Sequence, residues 1–401
     1  MESKDVGRRD FLKKSVLAGA SIGSMSGLSG AQDSENKPAE PEKEKKVPRR
    51  ELGGTGKKIP ILLFGCSQVF DPKYDKMLHR GFKEGVDYLD TALVYERGQS
   101  HKTLAPFVKQ VKRENVWITS KGPSNRATVE SYTKNLDKCL EQLEVDHLDL
   151  YFMHFVSDAK FLDKEYIEMG ERMRKSKKTN FFGFSCHDGN VVELMNKAAK
   201  VGGIDAIMFR YSFGQYGDKE LNKAIDACKE AKIGLIAMKT QKSVPAKQEE
   251  VIKFKSEDFT LGQAKLKAVW ADERIDSAVS HMDSLELLDE NVAAAKSPIK
   301  LSMDEFHQLN QLAAKTSGFS CMGCKQHCEP EIAANTRVAD SLRYLMYYEC
   351  YDEPDKAKRL FRGLPPGERE IDGVDFQRAA RACPEGVDIA GRLKLAQDLL
   401  A

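Results

Sequence analysis

The sequence has no marked excess of charge of either sign, with 63 basic and 61 acidic residues among 401. This balance argues against nucleic acid or an acidic membrane as a partner and favours a small-molecule activity. No G-x-G-x-x-G motif follows the first predicted strand, which argues against a doubly wound dinucleotide-binding sheet. The nine cysteines are odd in number and spread along the chain, so they do not suggest a disulfide scaffold.

The N-terminal segment lacks an apolar run long enough to cross a membrane. Its apolar stretch, SVLAGASIGSMSGLSG, is short and rich in Gly and Ser, whereas a spanning helix needs about 20 mostly apolar residues. Residues 1–31 resemble a twin-arginine signal peptide, with the motif RRDFLK beginning at Arg8. The resemblance implies export of the folded protein to the periplasm by the twin-arginine export machinery. The alternative is an amphipathic helix in which Arg8 and Arg9 are incidental; in either case residues 32–46 are predicted to be a disordered linker.

From residue 47 to 315, short apolar runs alternate with longer segments of helical period. Such alternation is typical of parallel strands joined by crossover helices. The predicted strands are 61–67, 86–92, 116–122, 148–154, 181–187, 206–212, 233–240 and 276–282. Eight strand–helix units predict an α/β fold of the (β/α)₈ TIM-barrel type. A hairpin over residues 49–60 is predicted to plug the bottom of this barrel.

Four polar residues lie at or just beyond the ends of consecutive predicted strands. Asp90, Lys121 and His154 end the second, third and fourth strands, and Tyr95 follows in the loop after Asp90. Active sites of such barrels lie at the carboxyl ends of the strands, although each residue taken alone is more often a helix cap or a core residue. We expect Lys121, held by Asp90, to lower the pKa of Tyr95 so that the phenol can transfer a proton near neutral pH.

These strands resemble those of the aldo/keto reductase family. The segments GVDYLDTALVY, WITSK and LDLYFMH are similar to family motifs, and the resemblance extends over residues 48–314. It implies that Asp90, Tyr95, Lys121 and His154 form a catalytic tetrad. It also implies hydride transfer between a nicotinamide cofactor and a small-molecule carbonyl or alcohol, with Tyr95 as general acid/base and His154 bonded to the reacting oxygen.

The cofactor contacts implied by the resemblance are incomplete. The candidate cofactor-binding residues are Ser185, Cys186, Met238, Lys239, Glu290 and Asn291. Cys186 stands where Asn is common, and Met208 replaces a usual Gln. The family favours NADP, but Asp283 would repel the 2′-phosphate of that cofactor. Asp283 could instead only cap the next helix. NADP and NAD therefore both remain open. A second hypothesis is a barrel that has lost its nucleotide and acts in binding or electron transfer.

A cysteine-rich segment begins after residue 315. Cys321-x₂-Cys324-x₃-Cys328 is followed much later by Cys383, and residues 316–401 resemble the ferredoxin-like extension of some aldo/keto reductases. In two-cluster ferredoxins the fourth Cys of each run ligates the other cluster. The resemblance therefore implies one 4Fe-4S cluster on these four cysteines, with a redox partner if the cluster carries electrons.

Other assignments of this mainly helical module stay open. Structural zinc, disulfides and free thiols are alternatives to a cluster, and His327 is a candidate supporting or substitute ligand. The aromatic stripe of residues 341–351 predicts a core helix and no cofactor contact.

Overall fold

The computed structural model describes residues 45–123, 128–241, 244–319 and 321–401. The predicted signal peptide and nearly all of the predicted linker fall in residues 1–44, outside the described residues. Within the described ranges, no helix combines the length and apolar character needed to span a membrane.

Eight parallel strands close into a barrel, which confirms the predicted fold. The order around the barrel is β10-β3-β4-β5-β6-β7-β8-β9, so consecutive strands pair and the last meets the first. The strands are β3 (Leu62–Gly65), β4 (Tyr88–Asp90), β5 (Trp117–Pro123), β6 (Leu148–His154), β7 (Thr179–Cys186), β8 (Ala206–Arg210), β9 (Gly234–Met238) and β10 (Ser277–His281). Each overlaps one of the eight runs predicted from the apolar pattern.

A hairpin of β1 (Arg49–Glu51) and β2 (Lys58–Pro60) precedes the barrel and plugs its lower end, as predicted. Leu52 and Ile59 are fully buried and pack with the side chains that fill the barrel interior. Gly53 has a φ of +50°, and a Cβ there would lie 2.3 Å from the backbone nitrogen of Gly234. Only glycine fits this close approach between hairpin and barrel.

Helices surround the strands and bury their apolar faces against them. They are α1 (Lys76–Glu84), α2 (Gln99–Val111), α3 (Val129–Leu143), α4 (Lys164–Lys175), α5 (Val191–Val201), α6 (Lys219–Glu230), α7 (Ala246–Glu249), α8 (Leu261–Ala271), α9 (Leu285–Lys296) and α10 (Met303–Thr316). In α3, Thr128 caps the first turn, and Leu136 and Leu143 are buried as the helical period predicts. Short 3₁₀ helices occupy Tyr95–Gly98, Arg113–Asn115, Ala159–Leu162, Phe213–Gln215, Ser317–Phe319, Glu329–Glu331 and Pro366–Glu368.

The C-terminal module is helical and has a core of its own. Its helices are α11 (Lys325–Cys328), α12 (Val338–Cys350), α13 (Pro354–Arg362), α14 (Gln377–Ala382) and α15 (Ile389–Leu400). Leu345, Phe361 and Leu393 bring α12, α13 and α15 together in this core. The module also contacts the barrel rim, where the Arg210 guanidinium donates a 3.0 Å hydrogen bond to the Cys321 carbonyl.

Candidate active site

Three of the four predicted tetrad residues are joined by hydrogen bonds at the carboxyl ends of neighbouring strands. The Lys121 ammonium lies 2.7 Å from Asp90 Oδ2 and donates to the Thr91 carbonyl at 2.8 Å and to Tyr95 Oη at 3.3 Å. Lys121 and Asp90 are almost fully buried, at 1% and 3% exposure. A buried ion pair of this kind fixes the charge and direction of the lysine toward the phenol.

His154 completes the group from the end of β6. Its ring centre lies 5.7 Å from that of Tyr95, at an angle of 79°. The imidazole is fully buried, and neither ring nitrogen has a hydrogen-bond partner among the described residues. Burial, followed by the charge of Lys121, lowers the pKa of His154 well below its usual range, so the ring is neutral. A buried neutral imidazole without partners is suited to bonding an incoming oxygen.

The pKa of Tyr95 differs from the prediction. Burial raises it above the usual value for a phenol, and the opposing effect of Lys121 is smaller. Burial also lowers the pKa of Lys121, but Asp90 and Tyr95 together outweigh this, so the ammonium keeps its proton. Lys121 therefore limits the cost of forming a phenolate and does not create one in the resting protein.

Three residues directly beside these side chains have a strained backbone. Glu96 and Arg97, directly after Tyr95, have φ values of 46° and 55°, and Phe155, directly after His154, has a φ of 58°. Such left-handed conformations are costly for residues with side chains and cluster at functional sites. The Phe155 ring stacks on His154 with 3.8 Å between ring centres, which fixes the imidazole plane.

The candidate nicotinamide contacts come from β7 and β9. Ser185 is fully buried, and its hydroxyl accepts a 3.2 Å hydrogen bond from the Phe155 amide. The Cys186 thiol contacts the Asp188 carbonyl at 3.4 Å, and burial raises its pKa to about 12. Met208 and Met238 are buried in the cluster that fills the barrel interior.

The candidate adenine contacts are occupied by bonds within the protein. Glu290 accepts a hydrogen bond from the Thr260 hydroxyl, and the buried Asn291 amide donates to Ser280 Oγ at 3.0 Å. Ser284, and not Asp283, caps α9, because its side chain accepts from the Leu287 amide. Asn291 therefore stabilises the attachment of α9 to β10 in this structure.

Sequence comparison adds to this geometry. The family model of the aldo/keto reductase family matches residues 63–244, which include the whole tetrad. The barrel is similar to the aldo/keto reductase family over this matched segment. It is 24% identical over 295 residues to L-galactose dehydrogenase of Arabidopsis thaliana, covering 65% of this chain and 92% of that protein.

Solved structures resemble the same part of the chain. An aldo-keto reductase of Bacillus halodurans in its holo form is 18% identical, has a TM-score of 0.56 and covers 66% of this chain and 96% of its own. An aldo-keto reductase of Klebsiella pneumoniae in complex with NADPH is 19% identical, has a TM-score of 0.53 and covers 66% of this chain and 95% of its own. These structures show that the barrel has the fold of the aldo/keto reductases.

Outside the barrel, the four predicted ligand cysteines line one cavity. Cys321, Cys324, Cys328 and Cys383 share its wall with His327 and with apolar side chains such as Leu342 and Val387. Burial, followed by the neighbouring cysteines, raises the pKa of Cys324 to about 11 and that of Cys328 to about 12. These thiols would lose their protons only to a strongly bound cation.

The cavity does not have the arrangement of a single-ion site. Across residues 45–123, 128–241, 244–319 and 321–401, no group of three or more His, Cys, Asp or Glu side chains is placed to hold a metal ion. A tetrahedral zinc ion bonds each thiolate at about 2.3 Å, which draws the sulfurs into close contact. Among the described residues the structure therefore shows no formed metal site, either for zinc or for an iron–sulfur cluster.

The module also approaches the active site, which the sequence analysis did not predict. The Lys239 ammonium, just after β9, lies 5.4 Å above the Tyr347 ring and 5.1 Å above the Tyr351 ring. Tyr347 is close enough to Tyr95 to contribute to the upward shift of its pKa. Tyr347 packs against the module core, as the aromatic stripe predicts, and it also contacts the Lys239 ammonium at the barrel rim.

A pair of glycines sets the distance between barrel and module. The Gly189 amide, in the loop after β7, bonds the Gly323 carbonyl at 3.3 Å. A Cβ on Gly189 would lie 2.2 Å from the Cβ of Cys324, and Gly323 has a φ of +77°. Neither position admits a side chain without displacement of the cysteine loop.

Proposed function

We propose that the protein is an NADP(H)-dependent oxidoreductase that interconverts a carbonyl group and an alcohol on a small molecule. The observation that carries the proposal is the Asp90–Lys121–Tyr95 network beside a buried His154 with no partner among the described residues. The NADPH in the Klebsiella pneumoniae relative supports the choice of cofactor. NAD stays the alternative cofactor.

In this mechanism Tyr95 is the general acid and base. When bound, the nicotinamide cofactor supplies or accepts the hydride at the substrate carbon. His154 donates a hydrogen bond to the carbonyl oxygen and holds it beside Tyr95 Oη, which transfers a proton to that oxygen. The Lys121 ammonium, 3.3 Å from Tyr95 Oη, stabilises the phenolate that remains. In the alcohol-to-carbonyl direction, Tyr95 takes the proton back.

The residues fit the cofactor best at its reacting end. The nitrogens of His154, which have no partner in the described part of the chain, mark a place for the substrate oxygen, and Ser185 lies one strand away at the same rim. Ser185 would hold the nicotinamide amide, and Lys239 would lie near the cofactor. Glu290 and Asn291 would hold the adenine end only after breaking their present hydrogen bonds within the protein.

Replacing Tyr95 by Phe tests the proposal. The variant keeps the Lys121–Asp90 ion pair, so we expect normal folding and NADPH affinity but a fall in aldehyde reduction of at least about 10²-fold. Aldehyde reduction is followed as NADPH absorbance, and NADPH binding as nucleotide fluorescence. Tyr74→Phe, at an exposed tyrosine, is the control. Equal turnover in the two variants would remove Tyr95 from the mechanism.

One observation supports the rival function, in which the barrel binds no nucleotide and acts in binding or electron transfer. Met208, at the position of the family's usual Gln, is buried in the barrel interior. The same fluorescence titration separates the two functions, because the rival protein would leave NADPH fluorescence unchanged.

We propose further that Cys321, Cys324, Cys328 and Cys383 hold one 4Fe-4S cluster. A cubane cluster spreads its four ligands more widely than a single ion does, which suits four thiols around one cavity. When bound, the cluster would either carry an electron for a redox partner or hold the segments of the module together.

We also propose export to the periplasm through the twin-arginine route. The support is the RRDFLK motif in residues 1–31. An iron–sulfur cluster would be inserted in the cytoplasm before export, and this route carries proteins that are already folded.

A further inference from the structure

Three side chains with positive or donor groups lie on the barrel rim beside the tetrad. His187 follows β7, Arg210 ends β8 and Lys239 follows β9, so they come from three consecutive strands. The ring centre of His187 lies 6.1 Å from that of His154. The three residues therefore lie on the same rim as the proposed reaction centre, and His187 is the one in contact with it.

The two cations of this group lack acidic partners. Among the described residues, neither Arg210 nor Lys239 forms an ion pair with a carboxylate, whereas the neighbouring Arg343 is paired with Asp340. In the described part of the chain, the Arg210 guanidinium donates hydrogen bonds to two neutral atoms, the Cys321 carbonyl and the Met322 sulfur. Burial and Arg210 disfavour the charge on Lys239, and Glu353 opposes them only in part, so a bound anion would stabilise the protonated ammonium.

Lys239 is held in place by aromatic rings and not by acids. Its ammonium lies over the rings of Tyr347 and Tyr351 and 3.5 Å from the Tyr351 hydroxyl. Burial, followed by Arg210 and other cations, lowers the pKa of Lys239 well below its usual range. Its φ of 55° is a strained conformation that places the side chain at the rim.

His187 adds a neutral donor to the cations. Its Nδ1 is buried and has no hydrogen-bond partner in the described parts of the chain. Burial, followed by Lys239 and other neighbours, lowers the pKa of this imidazole well below its usual range, so it is uncharged. An anionic oxygen would give this nitrogen the partner it lacks.

We propose that Arg210, Lys239 and His187 bind the acid group of an anionic substrate, a carboxylate or a phosphate, whose carbonyl lies at Tyr95 and His154. The inference rests on the proposed carbonyl–alcohol activity and names the substrate class. Tyr347 of α12 and Tyr351, just after it, pack against Lys239, so the module would contribute to substrate choice. The pyrophosphate of the dinucleotide cofactor is also anionic, and it is the alternative group that these three residues could bind.

The test compares two aldehydes of equal carbon number, 4-oxobutanoate and butanal, at saturating NADPH. We expect the wild-type protein to prefer the charged aldehyde by at least about 30-fold in kcat/KM, as hydrogen bonds to a charged group imply. In Lys239→Met this ratio falls by about 10-fold or more, and in Lys239→Arg, which keeps the charge, most of the preference is retained. Lys109→Met, at an exposed lysine of α2, is the control and keeps the wild-type ratio.

The ratio isolates substrate recognition, because both aldehydes use the same cofactor. An unchanged ratio in Lys239→Met with a weaker NADPH affinity in fluorescence titration would assign the cations to the dinucleotide and overturn the proposal. An unchanged ratio with unchanged NADPH affinity would overturn it as well.

A second measurement needs no turnover and separates this inference from the proposed function. In calorimetric titrations, 4-oxobutanoate and inorganic phosphate bind the wild-type protein, and Lys239→Met weakens both by about 10-fold or more. If neither aldehyde is reduced but this binding is found, the carbonyl chemistry fails and the anion site stands. If the wild-type protein binds neither anion, the site is overturned.

Discussion

The Lys121–Asp90 ion pair allows a direct test of how burial shapes the active site. In Lys121→Met the Asp90 carboxylate, 3% exposed, loses its counter-charge, and its Oδ1 already has no partner among the described residues. Removing one member of a buried pair costs about 3–5 kcal/mol. We therefore expect a loss of that order in the free energy of unfolding at pH 8, together with loss of aldehyde reduction.

The loss depends on pH in a defined direction. Burial raises the pKa of Asp90, and Lys121 opposes the rise, so the variant has a still higher folded pKa. A carboxyl whose folded pKa exceeds its unfolded value, about 3.9, loses stability as the pH rises from the unfolded toward the folded pKa. The difference in stability between wild type and Lys121→Met is therefore smaller at pH 5 than at pH 8.

Urea unfolding followed by tryptophan fluorescence measures this gap, since Trp117 and Trp270 both lie in the barrel. The matched control is Lys178→Met, which removes a 2.6 Å ion pair with Asp137 whose partners are 42% and 50% exposed. An exposed pair contributes about 0–1 kcal/mol, so the control should show little change at either pH. A loss in Lys121→Met that is equal at pH 5 and pH 8 would refute the role assigned to Asp90.

Two further predictions concern the module and the N-terminus. Cys383→Ser should abolish the visible absorption and labile sulfide of the anaerobically purified protein as completely as Cys324→Ser does. The control Cys350→Ser, outside the cavity, should keep about four irons and four sulfides per chain. Full metal content in Cys383→Ser would refute the four-cysteine cluster. Replacing Arg8 and Arg9 by Lys should keep the precursor in the cytoplasm, as cell fractionation would show, and normal delivery of this variant would make the arginine pair incidental.

The barrel could be predicted from sequence because its signals are local. Each strand is a short apolar run between turns, and α3 carries its own cap and apolar face at Thr128 and Leu136. Asp90, Lys121 and His154 were found because strand ends meet at one rim, a rule that needs only the order of the strands. The same rule could have pointed to Arg210, which ends β8, whereas the family resemblance already gave Lys239, just after β9, as a candidate cofactor contact.

Other features depend on contacts between distant segments. The direction of the Tyr95 pKa shift was predicted wrongly, since the sequence shows Lys121 nearby but not that desolvation of the phenol outweighs the charge of Lys121. The approach of Tyr347 to Lys239 joins two domains, and no local pattern reports such packing. An aromatic stripe predicts a buried helix face, yet it does not reveal which neighbour covers it.

The glycine pair between barrel and module restricts how the two parts can be recombined. Because a Cβ on Gly189 would collide with Cys324, a barrel that has a residue other than glycine at this position cannot accept the module by simple fusion. A chimaera would need a glycine introduced at that loop before the cysteine segment could seat against the rim. Transplanting the module onto another reductase is thus a two-site engineering problem, with one of the two sites in the recipient barrel.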